Sequence, residues 1–129
     1  ILKLQNNWCM QHKRIFIYME DILDSAKAIL EHTKNTNSYN DFVNNRLIFR
    51  AVERELTIIA EALNKIKQEN DILEINHTQQ IIGLRNRIVH DYANTYQDIV
   101  WGVVVNHINP LIAEIENWIN KNEQQLDKN

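Results

Sequence analysis

Phe49-Arg50-Ala51-Val52-Glu53-Arg54-Glu55-Leu56-Thr57-Ile58-Ile59-Ala60-Glu61-Ala62-Leu63-Asn64-Lys65-Ile66 is the stretch that decides the fold class. Its apolar residues Phe49, Val52, Leu56, Ile59, Leu63 and Ile66 follow one another at steps of three and four, which brings them to one face of an α-helix. Phe42 belongs to the same face, and Ser38 with Asp41 three residues later supplies a cap. The reading is one long helix of about eight turns, from near Tyr39 to Gln68-Glu69-Asn70-Asp71.

The period continues on either side of this helix. Ile15, Met19, Ile22, Ala26 and Ile29 predict a first helix from about His12 to His32, closed by the polar run 33–38. Residues 71–77 form a short connection, and Thr78 is a candidate cap for a third helix carrying Ile81, Ile82, Leu84, Ile88 and Val89. After a break at Ala93-Asn94-Thr95, Ile99 or Val100, Val103 or Val104, Ile108, Leu111, Ile115 and Trp118 mark a fourth. Pro110 lies inside it and predicts a kink that bends the helix without ending it. The sequence has only two glycines and one proline, and no strand-like alternation competes. The expected fold is all-α, an antiparallel bundle of four to five helices in one domain over residues 10–121, with an extension at 1–9 and a polar, frayed tail at 122–129.

A formal net charge of −3 argues against a protein that coats nucleic acid non-specifically, so any RNA contact is local. Cys9 has no partner for an internal disulfide, and no apolar run reaches the roughly 20 residues needed to span a bilayer. A cytoplasmic location, away from any membrane, is the simplest expectation. The five histidines His12, His32, His77, His90 and His107 show no i,i+4 pair and no cysteine companion. Neither a metal centre nor a cofactor is expected.

Chemistry concentrates in Arg85-Asn86-Arg87-Ile88-Val89-His90-Asp91-Tyr92. A histidine can pass protons at neutral pH, to or from a ribose 2′-hydroxyl or a leaving oxygen. Arginine offers planar, permanently charged donors to phosphate oxygens. The combination suits RNA cleavage without a metal, because RNA carries the 2′-hydroxyl nucleophile. Asn86 can orient either group. The bland alternative has Arg85 and His90 serving only as cations at a helix C-terminus. On an ideal helix Arg85 and His90 stand about 140° apart, so one chain does not make a compact dyad. Two copies facing each other across a two-fold axis would line a shared groove.

A second charged feature is the ladder Arg46, Arg50, Arg54, one residue per four along the second helix. It reads either as a solvated face paired with Glu53 and Glu55 or, with Arg87, as a contact strip for RNA or an acidic partner.

The segment Arg85-Asn86-x-x-x-His90-Asp91-Tyr92 resembles the Arg-x4-6-His signature of the HEPN superfamily, in particular the HepT-like toxins with their Arg-x4-His-x-Tyr form. The block Phe42 to Ala62, with Ile58-Ile59-Ala60-Glu61-Ala62, is similar to the family's second-helix block, which usually ends in Ile-Gly-Glu-Ala. The opening Arg14-Ile-Phe-Ile-Tyr18-Met-Glu-Asp-Ile-Leu23 and the closing Ile99-Val-Trp101 with Pro110 also resemble it. This likeness covers roughly residues 10 to 120. It implies a helical homodimer with a metal-independent endoribonuclease groove at its interface, paired with a minimal nucleotidyltransferase (MNT) antitoxin. Arg85 and His90 would be catalytic, Asn86 supporting, and Tyr92 the residue to which the partner attaches AMP. Two departures stand out: Ala60 where the family usually has glycine, and Thr57 where it often has glutamate. The competing class is a non-catalytic HEPN module serving as the binding or regulatory subunit of a nucleotidyltransferase.

Overall fold

The apolar faces anticipated for the first, second and fourth helices are buried. Of the third helix's set, Ile81 and Leu84 are buried, Ile82 is exposed, and the side chains of Ile88 and Val89 lie outside the described residues. Two of the long helices are divided. The computed structural model describes the backbone of residues 2–90 and 96–126, and the side chains of residues 9–84 and 96–124. Within these residues there are six helices and no strand: α1 (Leu2–Thr33), α2 (Tyr39–Asn44), α3 (Arg46–Glu69), α4 (Gln79–His90), α5 (Gln97–Asn106) and α6 (Ile108–Leu126). None of them is long and apolar enough to cross a membrane.

The α1–α3 pair forms the spine. Ile15, Met19, Ile22, Ala26 and Ile29 of α1 are buried against Phe49, Val52, Leu56, Ile59, Ala60, Leu63 and Ile66 of α3. Burying a side chain of this size contributes roughly 1.5–3 kcal/mol, so this interface dominates the stability of the bundle. The two helices run antiparallel. Arg14, in the first half of α1, grips Glu69 at the end of α3 through two bonds of 2.7 and 3.1 Å, and one turn further along α1 Tyr18 lies under Lys65. α6 also runs antiparallel to α1: His12 meets Asn122 at 3.0 Å, and Phe16 packs on Trp118 at 5.9 Å between ring centroids. Gln11 donates to the carbonyl of Glu69. These are polar and edge contacts, invisible to an apolar period, and they accompany a helix that starts at Leu2 and not near His12.

The expected helix from Tyr39 to Gln68 is two helices. Ser38 caps α2 as anticipated, its hydroxyl accepting from the Asp41 N–H at 3.1 Å. The chain then leaves helical geometry at Asn45 (φ −106°, ψ 92°), whose side-chain oxygen accepts from the Ile48 N–H at 3.1 Å and caps α3. Asparagine competes with the helix by this bond, which is why Asn44-Asn45 breaks a pattern whose apolar spacing carries on undisturbed. Phe42 and Phe49 remain in contact across the break, with ring centroids 5.6 Å apart.

The fourth helix is likewise divided. Pro110 lacks the N–H that would bond the carbonyl of Asn106, and its ring crowds that carbonyl. α5 therefore ends at Asn106 and α6 starts at Ile108, with His107 (φ −119°, ψ −20°) between them. The Leu111 N–H still reaches the His107 carbonyl at 3.0 Å, so the interruption is one residue long. α6 continues to Leu126, well into the stretch expected to fray.

Candidate functional site

α4 is held by its inner face. Ile81 and Leu84 are buried where α4 packs on α3 and α5, while Ile82 and Gly83 face outward. At its start, Thr78 occupies the expected capping position, and its carbonyl accepts from the Ile82 N–H at 2.9 Å. The hydroxyl behaves differently from the expectation: it turns back and donates to the Ile75 carbonyl at 2.8 Å. Residues 85–90 continue as regular helix, so positions 85 and 90 are about 140° apart round its axis, and 86 and 90 about 40° apart. The side chains of Arg85, Asn86, Arg87, Ile88, Val89 and His90 lie outside the described residues, as does Tyr92 altogether.

Beyond position 95 the chain re-enters at a firm anchor. The Tyr96 ring packs on Phe49 with centroids 5.7 Å apart, and Phe42 lies between Phe49 and Trp101, the latter at 5.0 Å. This aromatic row ties α2, α3 and the head of α5 together. The Tyr96 hydroxyl donates to the carboxylate of Glu53 on α3, and Glu53 also pairs with Arg50 at 2.9 Å. Burial, reinforced by that bond, pushes the Tyr96 phenol up to about 12. The same Glu53 carboxylate raises Arg50 above its ordinary value. Tyr96, four residues after Tyr92 in sequence, is thus held to α3 by its hydroxyl as well as by its ring. Residues 43 apart in sequence make this contact, and no motif or period links them.

The arginine ladder is solvent-exposed, as its spacing predicts. Arg50 is committed to Glu53, and among the described residues Arg46 and Arg54 make no ion pair. Of the two family departures, Ala60 is buried in the chain's own core, so its methyl group faces helix packing within one molecule. Thr57 is half-buried and donates to the Glu53 carbonyl at 3.0 Å. Glu61 is exposed. Trp101 and Trp118 are partly buried and pack against the core.

An open cavity of about 570 Å³ lies at the other end of α4, between Leu63, Ile66 and Lys67 of α3, the connection 71–78, Gln79, Gln80 and Ile82 of α4, and His107. It does not include the positions of the motif.

A family model described as Ribonuclease HepT-like matches residues 22–118. That range takes in α4, the ladder and the Tyr96 anchor. Among curated proteins, "Putative RNase MJ1380" of Methanocaldococcus jannaschii is 34% identical over 110 residues, covering 83% of this chain and 98% of that protein. "Putative RNase MJ1216" of the same organism is 32% identical over 123 residues, covering 93% and 98% respectively. "Putative RNase TTE0752" of Caldanaerobacter subterraneus is 28% identical over 108 residues, covering 81% and 93%. No solved structure matches the chain.

Proposed function

Since the chain belongs to the HepT-like ribonuclease family, we propose that it is an endoribonuclease whose active groove is built from Arg85, Asn86 and His90 on α4. The observation that carries this reading is the family match itself, whose bounds, residues 22–118, include the motif and the helices around it. In the proposed reaction one His90 removes the proton of a ribose 2′-hydroxyl, which attacks the adjacent phosphorus. The bond to the 5′-oxygen breaks, and the same imidazole, now protonated, returns the proton to that oxygen. The guanidinium of Arg85 holds the negative charge that gathers on the phosphoryl oxygens, and Asn86 orients the reacting groups. No step in this scheme calls for a metal ion.

The register of α4 favours a homodimer, because positions 85 and 90 point apart on one helix and a two-fold axis can bring them into one groove. Arg46, Arg54 and Arg87 are assigned to the RNA path or to a partner. We further assign a nucleotidyltransferase antitoxin of the MNT type as that partner, with Tyr92 as the site it modifies with AMP. A phosphate added two residues from His90 competes for the donors that RNA requires.

The purified protein is incubated with RNA in excess chelator beside His90→Ala and Arg85→Ala. Cleavage by the wild type, reduced at least about 100-fold in His90→Ala, is expected. Equal absence of cleavage in wild type and variant would remove the enzyme reading and leave a non-catalytic subunit of a nucleotidyltransferase. Co-expression with that partner should add the mass of one adenylyl group at Tyr92. An unmodified Tyr92 beside an active partner would remove the assigned control.

A further inference from the structure

The imidazoles of His77 and His107 come from two separate connections, the one before α4 and the one between α5 and α6. Their Nδ1 atoms are 3.2 Å apart and their ring centroids 5.5 Å apart. His77 is also the non-glycine residue with positive φ among those described, at 64°. An L-residue held in the left-handed region is disfavoured by roughly 1–2 kcal/mol, so the surroundings must impose it. They do: on one side the Asn76 N–H donates to Glu114 of α6 at 3.0 Å, and on the other the Thr78 hydroxyl closes onto Ile75. Backbone strain at a fixed point, two nitrogen ligands converging, and an adjoining open cavity coincide here.

We propose that His77 and His107 form a binding site for a borderline transition-metal ion such as Zn2+, Ni2+ or Cu2+. Two nitrogens 3.2 Å apart, each at a bond length of about 2.1 Å, subtend about 100° at the metal, between the octahedral and tetrahedral angles. The hydrogen bond between the rings requires a proton on one Nδ1. Metal binding instead needs both Nδ1 lone pairs, so the rings carry their protons on Nε2 and the ion replaces the shared proton. Among the described residues no group of three or more His, Cys, Asp or Glu is placed to hold a metal. Water from the cavity therefore completes the coordination sphere, and the ion binds exchangeably, unlike a closed four-ligand structural zinc. Bound there, it staples the entry of α4 to the α5–α6 junction, at the opposite end of α4 from residues 85–90. The site stands independently of the nuclease reading, and its test measures binding directly.

The full chain, free of any histidine tag and stripped with chelator, is titrated calorimetrically with Zn2+ and Ni2+, with Mg2+ as a hard-ion control. One ion per chain at micromolar affinity is expected, with at least tenfold weaker binding in His77→Asn and in His107→Gln. Asparagine tolerates the left-handed backbone, so the first variant keeps the connection. Cu2+ bound to the wild type should show the splitting of two imidazole nitrogens in its electron paramagnetic resonance spectrum, a readout that needs no variant. Absence of saturable binding, wild-type affinity in both variants, equal affinity for Mg2+, or a copper spectrum without nitrogen splitting would each overturn the site.

Discussion

Replacing Tyr96 by phenylalanine removes one oxygen and leaves the ring on Phe49, so it isolates the hydroxyl bond to Glu53. A hydrogen bond to a charged acceptor is worth about 1.5–3 kcal/mol. The phenol is raised from 10.0 to about 12, first by burial and only then by this bond, so the bond accounts for a part of the ~3 kcal/mol that two pH units represent. Tyr96 is only part-buried and Glu53 keeps Arg50 as a second partner, so solvent screening brings the expected loss to about 1–2 kcal/mol. Urea unfolding at neutral pH of the wild type, Tyr96→Phe, Glu53→Gln and the double variant measures it. The cycle should return a coupling of about 1 kcal/mol, because both groups act through one bond. The sign of the pH dependence is fixed as well. A group whose folded value is raised gives its full contribution below pH 10 and loses it as pH rises towards 12, so the wild type should lose its advantage over Tyr96→Phe across that window. Single variants that add without coupling, or a wild type that keeps its advantage above pH 12, would refute the reasoning.

Asn45→Ala removes the side-chain cap of α3 and should lower stability by about 1 kcal/mol, read as a lower urea midpoint at unchanged m-value. Glu69→Gln tests the bidentate clamp on Arg14, which holds the Glu69 carboxyl below its ordinary value, chiefly by the hydrogen bond. Its contribution is present above the unfolded value and is lost as pH falls, so the wild type should be destabilised by acid more than the variant; parallel acid curves would count against the clamp. Arg46→Glu with Arg54→Glu should weaken RNA binding and flatten its salt dependence, by about 0.7 in slope per lost phosphate contact. An unchanged slope would remove the ladder from the RNA path. Mixing inactive Arg85→Ala chains with His90→Ala chains that keep Arg85 tests the shared groove: if arginine and histidine come from different copies, about a quarter of wild-type activity should return.

The core was legible because burial leaves a period. Ile15 to Ile29, Phe49 to Ile66 and Val100 to Ile115 are buried at the registers read from spacing. Helix ends were less so, because they depend on single polar residues that an apolar pattern passes over. Asn45 divides one helix without shifting a single apolar position, and Pro110 ends α5 at Asn106 where a bend was expected. The start of α1 was missed for a related reason: Gln11, His12 and Arg14 engage α3 and α6 through polar and ring contacts. The candidate site divides along the same line. Residues 85–92 stand together in the sequence and announce themselves by type. The Tyr96–Glu53 and His77–His107 pairs join residues 43 and 30 apart, and only the fold brings them together.

α4 is 12 residues long, a length at which an isolated helix is marginal in water. Its stability therefore comes from what touches it. Among the described residues Ile81 and Leu84 supply the apolar part, and both belong to its first half. Polar pairs act beyond its two ends: Asn76–Glu114 and His77–His107 before it, Tyr96–Glu53 after the motif segment. A motif carried on a strongly self-stable helix would need no such fastening. One carried on a short helix, fastened at its entry and followed in sequence by the Tyr96 anchor, is sensitive to anything that binds at those points. Glu53, Tyr96, His77 and His107 are therefore the positions at which substitution is expected to alter RNA cleavage as well as stability, and cleavage rates of the folded variants check it.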